Sequence, residues 1–169
     1  MSHRLRGQRV EMELWCAAPV ILQTYNARAR RAVLAALQRQ NIRVHCNARV
    51  AAVEAGRLVL ADGTRAAYDK LFWCTGAAAA PWIAASGLAT DEQGFLAVRD
   101  TLQALHDDSV FGAGDIATQI KHPRPKAGVY AVRQGPVLAH NLRAALLQQP
   151  LRLHRPQQRF LSLISLGDK

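Results

Sequence analysis

Thr101-Leu102-Gln103-Ala104-Leu105-His106-Asp107-Asp108-Ser109-Val110-Phe111-Gly112-Ala113-Gly114-Asp115 ends as a strand does when something must come close to its backbone. Ser109-Val110-Phe111 is a β-prone run, and Gly112-Ala113-Gly114 follows it with almost no side-chain bulk. Asp115 then sets a carboxylate at the strand's carboxyl end, where it can accept hydrogen bonds from sugar-like hydroxyls. Ile116, Ala117 and Thr118 carry the next N–H groups, available to a phosphate. The same residues would equally serve a tight strand-to-loop turn with no ligand.

Upstream, Val10, Met12 and Leu14 alternate with Glu11 and Glu13, the period of a half-buried strand over Arg9–Cys16. Ala32, Val33, Ala36 and Leu37 mark an amphipathic helix from Asn26, its candidate cap, to about Gln40, with Asn41 in the helix-ending position. Ile42–Cys46 alternates again. Three short β-prone runs, broken by Gly56 and by Asp62-Gly63, predict a β-meander. It leads into Lys70-Leu71-Phe72-Trp73-Cys74, apolar enough for a strand buried on both faces, and then Thr75-Gly76. Residues 77–105 lack long periodicity and read as a connection holding one short strand, Phe95–Val98. Ala127 to Gln148 has helical spacing, with Gly135-Pro136 tolerated near its first turns. Phe160–Leu166 reads as a last strand, cut off after Gly167-Asp168-Lys169.

The 169 residues, half of them apolar, suit an α/β chain. No apolar run approaches the roughly 20 residues of a membrane span. The basic start lacks an apolar signal-peptide core, so a cytoplasmic address is expected. The net charge of +10 comes from scattered residues without aromatic interleaving, which argues against a nucleic-acid partner. Cys16, Cys46 and Cys74 lie about thirty residues apart and offer neither a disulfide framework nor a Cys-x-x-Cys pair, so each is expected to be a small buried hydrophobe. The histidines show no metal-ligand spacing, and no catalytic residue is assigned.

The order of these elements, with Leu71–Ala77, Ser86-Gly87-Leu88, Gly94–Val98 and Pro125–Pro136, resembles the pyridine nucleotide-disulfide oxidoreductase superfamily, in its NADH dehydrogenase-like branch. Within that branch it is most similar to the flavoprotein module associated with selenide, water dikinase. The resemblance implies an incomplete Rossmann-like FAD/NAD(P)-binding fold, three-layered with a β-meander and truncated at the N-terminus. Residues 1–76 would be part of an NAD(P)-binding domain, 77–150 the C-terminal half of an FAD-binding domain and 151–169 the start of an interface domain.

Thr101–Asp115 then resembles the family's second FAD motif, with Gly114, Asp115 and Ile116 at the cofactor. Thr75 and Gly76 match the Ala-Thr-Gly element, with Cys74 in the alanine's place. Lys126, Tyr130 and Gln134 resemble the segment beside the isoalloxazine ring. FAD is the implied cofactor, and the isolated chain is expected to hold it weakly or not at all. NAD(P)H would act only with the missing segment, because the Gly-x-Gly-x-x-Gly turns of the family are absent and Ala17-Ala18 stand where a charged residue reads the adenosine ribose. The complete form would pass a hydride from NAD(P)H through flavin to an acceptor. Expected partners are a complementing N-terminal segment or a second copy covering unpaired strand edges. The alternative is a non-catalytic interaction or oligomerisation module derived from such a flavoprotein.

Overall fold

A computed structural model describes residues 3–5 and 8–166. Met1, Ser2, Arg6, Gly7 and 167–169, which include part of the basic start and the closing tripeptide, lie outside the described residues. The chain divides into two units, Met1–Trp73 with Leu163–Lys169, and Cys74–Ser162.

In the first unit β1 (His3–Leu5) and β2 (Gln8–Val10) pair antiparallel. β3 (Met12–Trp15) runs parallel to β4 (Ile42–His45), and helix α1 (Ala27–Arg39) connects them. Asn26 caps α1 by accepting the Ala29 N–H at 2.9 Å, so one orphan donor of the first turn is satisfied. Asn41, at φ 54°, turns the chain out of the helix in the left-handed region that asparagine tolerates. β5 (Val50–Glu54), β6 (Arg57–Leu60) and β7 (Arg65–Ala67) form the antiparallel meander, with Leu58 and Leu60 buried.

The second unit begins with a short helix, α2 (Pro81–Ala85), and builds one four-stranded sheet. Its strands are β8 (Leu96–Val98), β9 (Gln103–Ala104), β10 (Asp107–Phe111) and β11 (Ala117–Gln119), in the order β10-β9-β8-β11. Only β8 and β11 pair in parallel. Helix α3 (Gly128–Leu146) buries Tyr130, Gln134, Asn141 and Ala144. Ile83, Leu96, Val98, Ala104 and Ala117 form the buried cluster of this unit. Each large aliphatic side chain there contributes about 1.5–3 kcal/mol through burial. The short strand expected at Phe95–Val98 forms as β8, and the stretch 77–105 around it also supplies core side chains.

Three expectations are corrected. Lys70–Cys74 is irregular, with Phe72 87% and Trp73 56% exposed and Cys74 also exposed, instead of a buried strand. No described strand pairs with it, and a backbone without ladder partners must keep its polar groups in water. Residues 160–166 likewise form no strand. Cys16 and Cys46 are half-buried rather than buried.

Gly112 shows why the central motif lacks side chains. A Cβ there would stand 2.6 Å from Leu96 Cδ2 and 3.2 Å from Ala117 Cβ, both in the packed core. We expect Gly112→Ala to lower stability by about 1–3 kcal/mol, as overpacking does. A chemical-denaturation curve superimposing on that of the native chain would contradict this packing role.

Candidate functional site

The strand β10 delivers the chain into Gly112-Ala113-Gly114, and a 3-10 turn follows over Gly114–Ile116. Gly114 has φ +73°, a conformation that glycine adopts without strain. Its N–H donates to Gln134 Oε1 at 2.6 Å, so buried Gln134 pins the turn to α3. Asp115 is exposed, and its carboxylate accepts no hydrogen bond from a described residue. The next donors are not free. The i→i+3 bonds of the 3-10 turn engage the Ile116 and Ala117 N–H groups, the latter on the Gly114 carbonyl, and Thr118 belongs to the β11–β8 ladder. The sequence expectation that all three would face a phosphate is corrected by this turn.

Lys126 precedes α3. Its ammonium donates to the Ala117 carbonyl at 2.7 Å and to the Thr118 hydroxyl at 2.8 Å, and lies 3.9 Å from the centre of the Phe95 ring. Burial pushes its pKa down, while the charges of Asp91 and Asp115 work to raise it. At Asp91 burial works to raise the carboxyl. Hydrogen bonds from Thr118, Phe95 and Gln93 and the Lys126 charge outweigh it and hold the carboxyl below its usual range. The Lys126 ammonium, bonded to the Ala117 carbonyl and the Thr118 hydroxyl, ties β11 to the entrance of α3.

Ala127, at the N-cap of α3, offers no side chain to the first-turn N–H groups, and no acidic residue sits in that turn. The positive end of the helix dipole is thus left uncompensated. Gly128 leaves open space where a side chain would be. Tyr130 is buried and meets Phe160 edge to face, ring centroids 5.5 Å apart.

Gly114, Asp115, Lys126, Tyr130 and Gln134 come together around one small pocket of about 20 Å³, which also takes in His122 and Arg124. Its enclosed part is far smaller than a dinucleotide. Thr75 and Gly76 do not line it, and both are exposed in an irregular segment. Ile116 is 39% exposed and also outside the lining. His122 and Arg124 carry no signal in the sequence, where the basic residues are scattered and the histidines show no ligand spacing. Only the fold carries their loop back to Asp115. Among the described residues no cluster of three metal-ligating side chains exists, and no helix is long and apolar enough to cross a membrane.

Gln119, on the wall of the same pocket, donates through Nε2 to Asp100 Oδ1 at 2.9 Å and to the His154 carbonyl at 2.8 Å. Its Oε1 therefore faces His154 Nδ1, 2.8 Å away, and makes Nδ1 the protonated nitrogen of a neutral ring. Burial lowers the His154 pKa, with Asp100 opposing. The unfolded chain then binds the proton first, so stability falls as pH drops from about 6.5, the unperturbed histidine value, through the lower folded value. His154→Asn keeps a donor toward Gln119 and should flatten this acid slope, read as melting temperature against pH. An unchanged slope would remove His154 as its source.

Several solved structures share the fold. A ferredoxin reductase from Rhodopseudomonas palustris is 20% identical with a TM-score of 0.66, the match covering 86% of this chain and 37% of that one. The sulfide:quinone oxidoreductase of the hyperthermophilic bacterium Aquifex aeolicus is 18% identical with a TM-score of 0.65, covering 84% and 37%. An NAD-dependent persulfide reductase from A. fulgidus is 21% identical with a TM-score of 0.62, covering 78% and 26%. This chain thus spans between about a quarter and two fifths of the structures it resembles. No curated protein matches it in sequence. The architecture is that of the Rossmann-like FAD/NAD(P)-binding flavoproteins. With residues 2–135 matching the family model for pyridine nucleotide-disulphide oxidoreductases, the chain belongs to that family.

Proposed function

We propose that this chain carries one side of an FAD site, part of an oxidoreductase that moves a hydride from NAD(P)H through flavin to an acceptor once the rest of the enzyme is present. The observation that carries the reading is the convergence of the Gly114–Asp115 turn, Lys126 and the uncapped start of α3 on one pocket. These residues fit part of the cofactor. Asp115 has free acceptor capacity for polyol hydroxyls, and the α3 start, with Arg124, supplies positive potential for an anionic portion. Lys126 and Gln134 position the turn and the helix. Bound FAD would supply the two-electron carrier.

In this reading residues 1–76 contribute to the nicotinamide side, 77–150 to the flavin side, and 151–169 begin an interface. Thr75, Gly76 and Ile116 keep a place at the cofactor only through backbone approach. The likeness to the module associated with selenide, water dikinase, and a cytoplasmic setting, belong to the same proposal. So does a complementing N-terminal segment as partner. A second reading, an oligomerisation module without catalysis, is favoured by the exposure of Val132 (75%) and Leu146 (86%) on α3.

The test is anaerobic addition of NADH or NADPH to flavin-loaded protein reconstituted with an N-terminal FAD-binding half. Loss of the oxidised-flavin absorbance supports the oxidoreductase. A flavin-free chain that sediments as an oligomer and bleaches nothing supports the second reading instead.

A further inference from the structure

The parallel register of β3 and β4 ends with a cysteine immediately beyond the last pair on each strand. Trp15 pairs with His45, and the next N–H, that of Cys16, donates to the His45 carbonyl at 2.8 Å. That bond closes the Trp15–His45 pair, and the next residues of the two neighbouring strands are Cys16 and Cys46. Neighbouring strands lie about 4.8 Å apart. That spacing falls inside the Cα separation of about 4.4–6.8 Å that a disulfide spans.

Side-chain direction agrees. The Trp15 and His45 rings stack with centroids 4.0 Å apart and planes within 11°, so this pair shares one face. Alternation along two strands in register then turns Cys16 and Cys46 together to the other face. Both thiols are free and half-buried. Beyond Cys46 the ladder breaks. Asn47, at φ 55°, donates to the Ala18 carbonyl and Ala48 to the Cys16 carbonyl, both at 2.9 Å, so the two segments stay tied together past the cysteines.

From this juxtaposition we infer that Cys16 and Cys46 form a dithiol–disulfide site, closed by exchange with a low-molecular-weight disulfide, RSSR. One cysteine thiolate attacks RSSR, a Cys–S–S–R bond forms and RS⁻ leaves. The second cysteine thiolate attacks the protein sulfur of that mixed disulfide, and a second RS⁻ leaves as the Cys16–Cys46 bond forms. The two protons given up by the cysteines end on the two released thiols. Two protein thiols are oxidised and one RSSR is reduced to two RSH. Parallel neighbours do not hold cysteines at the ideal Cβ separation, so the bond is readily reversed by thiols. Closed, it ties together the two strands that α1 connects.

The experiment exposes the folded chain to oxidised glutathione, alkylates the remaining thiols and maps all three cysteines by mass spectrometry. Exposed Cys74 is the internal standard. The expected result is a linked Cys16–Cys46 peptide with no adduct on either residue, while Cys74 carries glutathione. Dithiothreitol should restore both alkylatable thiols. Cys46→Ser should strand glutathione on Cys16. In the native chain, separate glutathione adducts on Cys16 and Cys46, or both thiols still alkylatable when Cys74 is fully modified, would overturn the inference. The decisive readout uses the native sequence and does not depend on the variant folding.

Discussion

Replacing Asp115 with alanine is expected to weaken FAD binding by the reconstituted protein about 10- to 100-fold. Hydrogen bonds to an ionised acceptor are worth about 1.5–3 kcal/mol each, and tenfold in affinity corresponds to about 1.4 kcal/mol. Asp115 has no described hydrogen-bond donor of its own, so its acceptor capacity is directed outward. The fold has little stake in it. An exposed side chain away from packed features changes stability by no more than about 0.5 kcal/mol. Flavin-fluorescence titration beside a thermal melt separates the two effects. Unchanged affinity would remove Asp115 from the site, and a collapsed melt would make it structural.

The largest stability loss is expected at Asn141. It is fully buried on α3, and its Nδ2 donates to the Thr101 and Arg152 carbonyls, both at 2.8 Å. Its Oδ1 accepts the Arg152 N–H at 2.8 Å. One side chain thus ties the first residue of the Thr101–Asp115 stretch to the segment that follows the helix. Asn141→Leu is nearly isosteric and leaves two carbonyls and one N–H without partners. Each orphaned buried group costs about 1–3 kcal/mol, so the total is about 3 kcal/mol or more. Against a domain stability of about 5–15 kcal/mol that is a large share. The measurement is the urea midpoint. A shift equivalent to less than about 1 kcal/mol would show that water replaces the amide without penalty.

What the sequence made legible were the elements whose local signals agree. Helix α1 has its cap at Asn26, its exit at Asn41 and an apolar stripe between, and it forms within a residue of the expected bounds. The meander has its glycine turns, and α3 its long helical period. The central turn was legible too, though not in full. Gly114 does adopt the left-handed conformation, but Gly112 is bare for the sake of Leu96 and Ala117.

What failed was whatever depends on neighbours rather than on local pattern. Leu71, Phe72 and Trp73 carry the composition of a buried strand, yet burial requires paired edges that no described strand gives them. Conversely, Leu102 is wholly buried in a stretch with no periodicity, because it turns at φ 64° between two very short strands. Cys16 and Cys46 are thirty residues apart and become neighbours only through the β3–β4 register. His122 and Arg124 reach the pocket only because the chain between β11 and α3 folds back toward it.

The flavin site itself is tested most directly by the visible absorption spectrum. FAD is added to this chain together with an N-terminal FAD-binding half, and unbound flavin is removed by gel filtration. A site centred on Asp115, Lys126 and the start of α3 predicts flavin bands eluting with the native chain and largely lost from Asp115→Ala. A native complex that assembles yet elutes colourless, or an Asp115→Ala complex that retains as much flavin, would contradict it.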